Sequence, residues 1–188
     1  MTERVLPTLQ QWLLFSGTVL LVGCVAWRFV VAPRAARSVG AAERAELARI
    51  ARRVGLAGLA TALVLIGVWL LRGALQLVAF RDPFVPLRED VAFLLGETWG
   101  RVWMGQGAVV LGLAAALGRA RAAAHPPGEE AAAAGAVAPS PAWRAAALLT
   151  LLLAASLALS SHAMSAATAR PLVVAADGLH ALAAGSWI

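Results

Sequence analysis

Two histidines, a methionine and an aspartate stand among small and apolar residues in the closing stretch SSHAMSAATARPLVVAADGLHALAAGSWI, Ser160 to Ile188. His162 and Met164 form an H-x-M pair. Imidazole beside thioether is a soft donor set that suits copper, above all Cu(I). His180 lies on the next apolar segment, three residues after Asp177, so the two share a helical face. A carboxylate there can fix the imidazole tautomer and raise its basicity, as outer-shell partners do around metals. Asp177 could equally form a plain ion pair with Arg72 or Arg101. His162, Met164 and His180 are thus candidate metal ligands, with Asp177, Arg72 and Arg101 as supporting or ion-pairing groups.

Helices embedded in lipid must position these groups. The chain has 188 residues and is 61% hydrophobic, against about half in a soluble domain. The excess falls in five blocks at about 12–32, 54–80, 98–118, 142–161 and 171–188. A crossing helix needs ~20 apolar residues, which the first four blocks supply. The fifth reaches Ile188 without a polar flank and is expected to continue in a longer protein. The reading is all-α, a polytopic transmembrane bundle of five spans with the fifth truncated. Ten-residue alternating strands, the mark of a membrane barrel, are absent. The block Trp12–Ala32 is too long, and lacks the cleavage site, for a removed signal peptide.

Charge sets the orientation. The 16 basic residues are all arginine, and they gather between apolar blocks, which points to topology rather than nucleic acid. The segments 33–53 and 119–141 carry the excess, so both are expected to be cytoplasmic loops. The N-terminus then lies outside, and Trp12, Trp27, Trp99 and Trp143 fall at interfaces as an aromatic belt. The stretch 122–141 reads as a flexible linker in which His125 is merely solvated. RSVGAAERAELARIARR has helical periodicity; a solvated charged face is its plainer reading.

In this topology Arg72 lies ~12 Å below the outer surface, Arg101 ~5 Å, Met104 ~9 Å, Asp177 ~9 Å and His180 ~14 Å. An ionisable group inside a bilayer costs ~2.5–3.5 kcal/mol on insertion scales. Three helices placing such groups at similar depth imply a shared polar cavity open to the outer face. For other residues the plain reading leads. Met104 packs in the core, Trp69 and Trp103 face lipid or another helix, and Gly105, Gly107 and Gly112 allow close helix approach. Arg28 snorkels to the inner interface beside Trp27. Cys24, the single cysteine, excludes an internal disulfide; a minor role as an exit ligand is conceivable. No nucleophile–base–orienter set exists, so no enzyme is expected.

The segment LALSSHAMSAA…PLVVAADGLHALAAGSWI resembles the bacterial copper resistance protein D (CopD) family. A helix ending in a Ser/Gly-His-Ala step, here His162 and Ala163, is followed by D-x-x-H-x-x-x-A-x-x-W, here Asp177, His180, Ala184 and Trp187. GETWGRVWMGQ, Gly96–Gln106, is similar to that family's third-helix entrance. The resemblance implies an inner-membrane protein of about eight spans, with a Gly-Gly after Ile188. It also implies copper handling, with a periplasmic copper-binding partner of the CopC type. Copper would meet His162 and Met164 from the periplasm and pass inward to His180. Two rivals stay open: a b-type membrane cytochrome with two histidine haem ligands, and a metal-free scaffold or assembly protein held together by Arg72, Arg101 and Asp177.

Overall fold

The computed structural model describes residues 2–123 and 139–159, together with Leu179 and Ala183. Helix α1 (Thr2–Ala26) runs through a π-helical turn, Trp27–Val31, into α2 (Ala32–Ser38). Helix α3 (Ala41–Phe80) is followed by a short α4 (Leu87–Gly96), by α5 (Thr98–Ala122) and by α6 (Pro141–Leu159). No strand occurs among the described residues. Three helices are long and apolar enough to cross a membrane, Val5–Ser38, Ala42–Phe80 and Thr98–Ala122. Pro141–Leu157 is a shorter apolar helix. The fold fits a multi-pass membrane protein.

The charged segment 33–53, whose sequence has helical periodicity, is helical for most of its length. Within 33–53, α2 and the first turns of α3 are separated only by Val39, in extended conformation, and Gly40. Pro33 sits in the first turn of α2, where its missing N–H costs nothing. The Glu43 carboxylate accepts the Gly40 N–H at 2.9 Å, satisfying a donor that helix geometry leaves open at the start of α3. Glu46 and Arg49 pair one turn further on. Charged residues on a water-facing helix carry no apolar stripe, which is why hydropathy ends the span at 54 while the helix extends back to Ala41. At 40 residues, α3 is ~60 Å long, twice the ~30 Å hydrocarbon core.

The segment 81–97 likewise folds, into α4. The Asp82 carboxylate accepts the Phe84 N–H at 2.9 Å, making a tight turn. Arg81 donates to the carbonyl oxygen of Val85 and to the carboxylate of Asp90, which is buried. The corner from α4 into α5 closes over Gly100, where an added Cβ would strike the Leu94 carbonyl oxygen and the Leu95 backbone. Backbone cannot yield as a side-chain tip can. Gly100→Ala is therefore expected to destabilise the chain by about 1–3 kcal/mol, offset in part by the ~1 kcal/mol better helix propensity of alanine. Unfolding of the detergent-solubilised chain reads this, and an unchanged midpoint would mean that α4 does not dock on α5.

Four helices form the bundle. Helix α1 packs on α3 and α6, and α5 packs on the same two. Their shared interior holds Leu21, Ala62, Leu65, Val110, Leu113, Ala116, Leu117, Ala146 and Leu153. Ala62, Ala146 and Ala154 are wholly buried, as close approach of membrane helices requires of small residues. Buried Thr18 and Thr150 return their hydroxyls to the carbonyls of Leu14 and Ala146, both at 2.8 Å. The outward faces carry Phe15, Leu20, Leu63, Val64, Leu70, Leu111, Leu148 and Leu152. A bundle whose outward faces are as apolar as its interior, with alanines and threonines at the closest contacts, is suited to lipid as its solvent.

Candidate functional site

One end of the bundle holds a polar chain across three helices. Arg72 on α3 donates from a terminal guanidinium nitrogen to Gln106 Oε1 on α5 at 2.9 Å. Gln106 donates from Nε2 to Ser156 on α6, to its hydroxyl at 3.2 Å and its carbonyl at 3.3 Å. The Ser156 hydroxyl donates to the Leu153 carbonyl at 2.7 Å. Gln106 is buried, and the Arg72 guanidinium also lies 5.8 Å from the centre of the Trp99 ring. With the apolar helices around it, this arrangement gives a cation inside a bilayer both an acceptor and an aromatic face.

Beside the network, Trp69 and Trp103 clasp each other. Their rings stack with centroids 4.7 Å apart and planes at 19°. The Trp69 indole N–H donates to the Trp103 carbonyl at 2.9 Å, and the Trp103 indole N–H donates to the Trp69 carbonyl at 3.0 Å. Trp99 continues the stack at 6.0 Å from Trp103. Each indole lies where a side chain on the opposite helix would be: Trp69 over Gly107, Trp103 over Gly73. Pairing 69 with 107 and 73 with 103 requires α3 and α5 to run antiparallel. The motif is W-x-x-polar-G on both, W69-L-L-R72-G73 and W103-M-G-Q106-G107, so a local two-fold relates the helices, with Arg72 and Gln106 as its equivalent and mutually bonded polar positions.

The described residues place the expected groups in different surroundings. Arg72 is half-buried in the network, while Arg101 and Met104 lie on the exposed side of α5, Met104 at 53% exposure. Positions 103, 106, 107 and 110 of α5 turn toward α3 and α6; positions 101, 104, 108 and 111 turn away. Met104 is thus no core residue, and Arg101 does not join Arg72. Trp69 and Trp103 face helices, not lipid. Cys24 is buried on α1, against α3 near Gly58. Arg28 does not snorkel: it is 4% exposed, with its guanidinium 5.3 Å from the Trp143 ring centre. Trp143 is buried too, beneath Arg28. His162, Met164, Asp177 and His180, and with them His125, lie outside the described residues. Among the described residues, no group of three or more His, Cys, Asp or Glu could hold a metal.

The residues that sequence reasoning missed are Ser156 and Gly73. The five-residue motif, repeated 34 positions apart, was the visible signal for Gly73, while Ser156 lies outside it. No protein-family model, curated protein or solved structure matches the chain. The class the fold supports is a helical protein with several candidate membrane spans.

Proposed function

We propose that the chain belongs to an inner-membrane protein that moves copper or confers copper tolerance, taking the metal from the periplasm through His162, Met164 and His180. The observation that carries this reading is the Arg72–Gln106–Ser156 network. It is a polar seam at one end of an apolar bundle, and Ser156 lies six and eight residues before His162 and Met164 in the sequence. Seam and soft donors would then occupy one end of one helix pair. Five spans, an outer N-terminus, cytoplasmic segments 33–53 and 119–141, and a CopC-like partner complete the proposal. Its support beyond geometry is the resemblance carried by His162, Ala163, Asp177, His180, Ala184 and Trp187.

Copper content of cells expressing the protein tests it. His162→Ala and His180→Ala should each abolish most of the protein-dependent change in copper content, with membrane protein levels equal to wild type. A change retained in full by both variants would sink the copper reading. A second reading has its own observation: the Arg72 guanidinium is hydrogen-bonded to another helix, as a bundle-holding scaffold requires. Under that reading the histidine variants leave copper unchanged, while disruption of Gln106 loosens the fold. A Soret band in the purified protein would instead favour the b-type cytochrome.

A further inference from the structure

Beside the indole stack, α3, α4 and α5 enclose a cavity of about 190 Å³. Its walls include Ala74 and Leu77 of α3, Val91 and Leu94 of α4, and Trp99 and Trp103 of α5. Two features of the sequence keep it open. The consecutive wall positions Gly73 and Ala74 carry no side chain longer than a methyl group. And α4 cannot collapse into the gap, because the Arg81–Asp90 pair holds it at one end and the corner over Gly100 at the other.

The side chains that line the cavity among the described residues present hydrocarbon and indole. An apolar cavity of about 150 Å³ stays dry and takes up a small hydrocarbon. A charged or hydrogen-bonding ligand would lose its hydration here without replacement. The volume also falls short of the ~300 Å³ at which drug-sized sites begin, which leaves room for one slender chain. The mouth indicates where that chain comes from. Leu70 and Ala74 line the cavity and are themselves exposed. Val78, one turn further along the same face of α3, is exposed as well. Leu63 and Gly67 extend this exposed stripe toward the middle of the helix. Because α3 is long and apolar enough to cross a membrane, the cavity opens onto the face that hydrocarbon would cover, and a chain reaches it without crossing water.

We infer that this cavity holds one acyl chain of a bilayer phospholipid, entering from the exposed stripe of α3. The inference rests on α3 and α5 crossing a bilayer and is independent of the copper reading, so His162→Ala and His180→Ala should leave it untouched. The test is native mass spectrometry of the full chain in detergent with added phosphatidylcholine. The wild type should retain one long-chain phosphatidylcholine, and phosphatidylglycerol equally well, since the cavity reads the chain and not the headgroup. Phosphatidylcholine with six-carbon chains should bind at least about tenfold more weakly, the equivalent of burying two fewer methylene groups. Ala74→Phe fills the space and should lower retention by a similar factor, while Leu63→Phe, on the same stripe away from the cavity, should not. Where Ala74→Phe fails to fold, Val91→Phe fills the same space from α4 and must give the same loss. Retention unchanged in the filled variant overturns the site, as does a wild type that retains no lipid. A dimer that Ala74→Phe dissociates, with no lipid retained, would assign the cavity to a second copy of the chain and overturn it too.

Discussion

Gln106→Leu should destabilise the bundle by about 2–3 kcal/mol, and adding Arg72→Leu should restore most of that loss. The single change removes the acceptor that Arg72 reaches at 2.9 Å and the donor that serves Ser156. Hydrogen bonds between membrane helices average only ~0.6 kcal/mol, since neutral groups find other partners when the helices separate. Arg72 differs because it is a cation, whose bonds contribute about 1.5–3 kcal/mol and whose stranding in lipid costs ~2.5–3.5 kcal/mol. Leucine at both positions removes the donor together with the acceptor and leaves two apolar side chains of suitable length. The experiment is a double-mutant cycle by unfolding in mixed micelles. If the double variant is as unstable as the two single losses added together, Arg72 and Gln106 do not act as a pair.

Gly107→Ala and Gly73→Ala should each cost about 2 kcal/mol, in the range of core overpacking. A Cβ at Gly107 would overlap the six-membered ring of Trp69, and one at Gly73 would overlap that of Trp103. Each displaced indole gives up its N–H bond to the opposite carbonyl and its stacking at once. The local two-fold makes the two costs nearly equal. The double variant should lose less than twice as much, because the stack can be broken only once. Gly105→Ala is the internal control. An added Cβ there meets nothing within 4 Å, so it should be neutral or stabilise by up to ~1 kcal/mol through helix propensity. Unfolding midpoints and a red shift of tryptophan emission report both effects. Equal stability for Gly105→Ala and Gly107→Ala would remove the case for the clasp.

The candidate spans were legible because a bilayer demands a length of apolar sequence that soluble cores do not. The segments 12–32, 54–80 and 98–118 each fall within a helical run long and apolar enough to cross a membrane. What escaped were features whose cause is not local hydropathy. The helical periodicity of the charged beginning of α3 was visible; its unbroken junction with the apolar run was not, and it follows because adding a residue to an established helix is cheap. Arg28 looked like an interfacial side chain because arginines near span ends usually are; it is instead buried on the same helical face as Leu21 and Cys24, over Trp143. In the polar seam, Arg72 stood out as a charged group in apolar surroundings, but its pairing with Gln106 depends on the antiparallel register of α3 and α5. That register was written in the spacing of Trp69, Gly73, Trp103 and Gly107, a pattern too short for a search across the whole chain. Arg101 and Met104 show the converse: similar depth does not place residues together when they occupy opposite faces of one helix.

The unbroken run of α3 from Ala41 to Phe80 contains no proline. Arg53 and Arg72 are therefore fixed to one stiff rod, ~28 Å apart along its axis. A tilt that moves the Arg53 end must swing the opposite end through a matching arc, shifting Arg72 against its glutamine. The helix is a lever, and the clasp of indoles on glycines is the bearing near its far end.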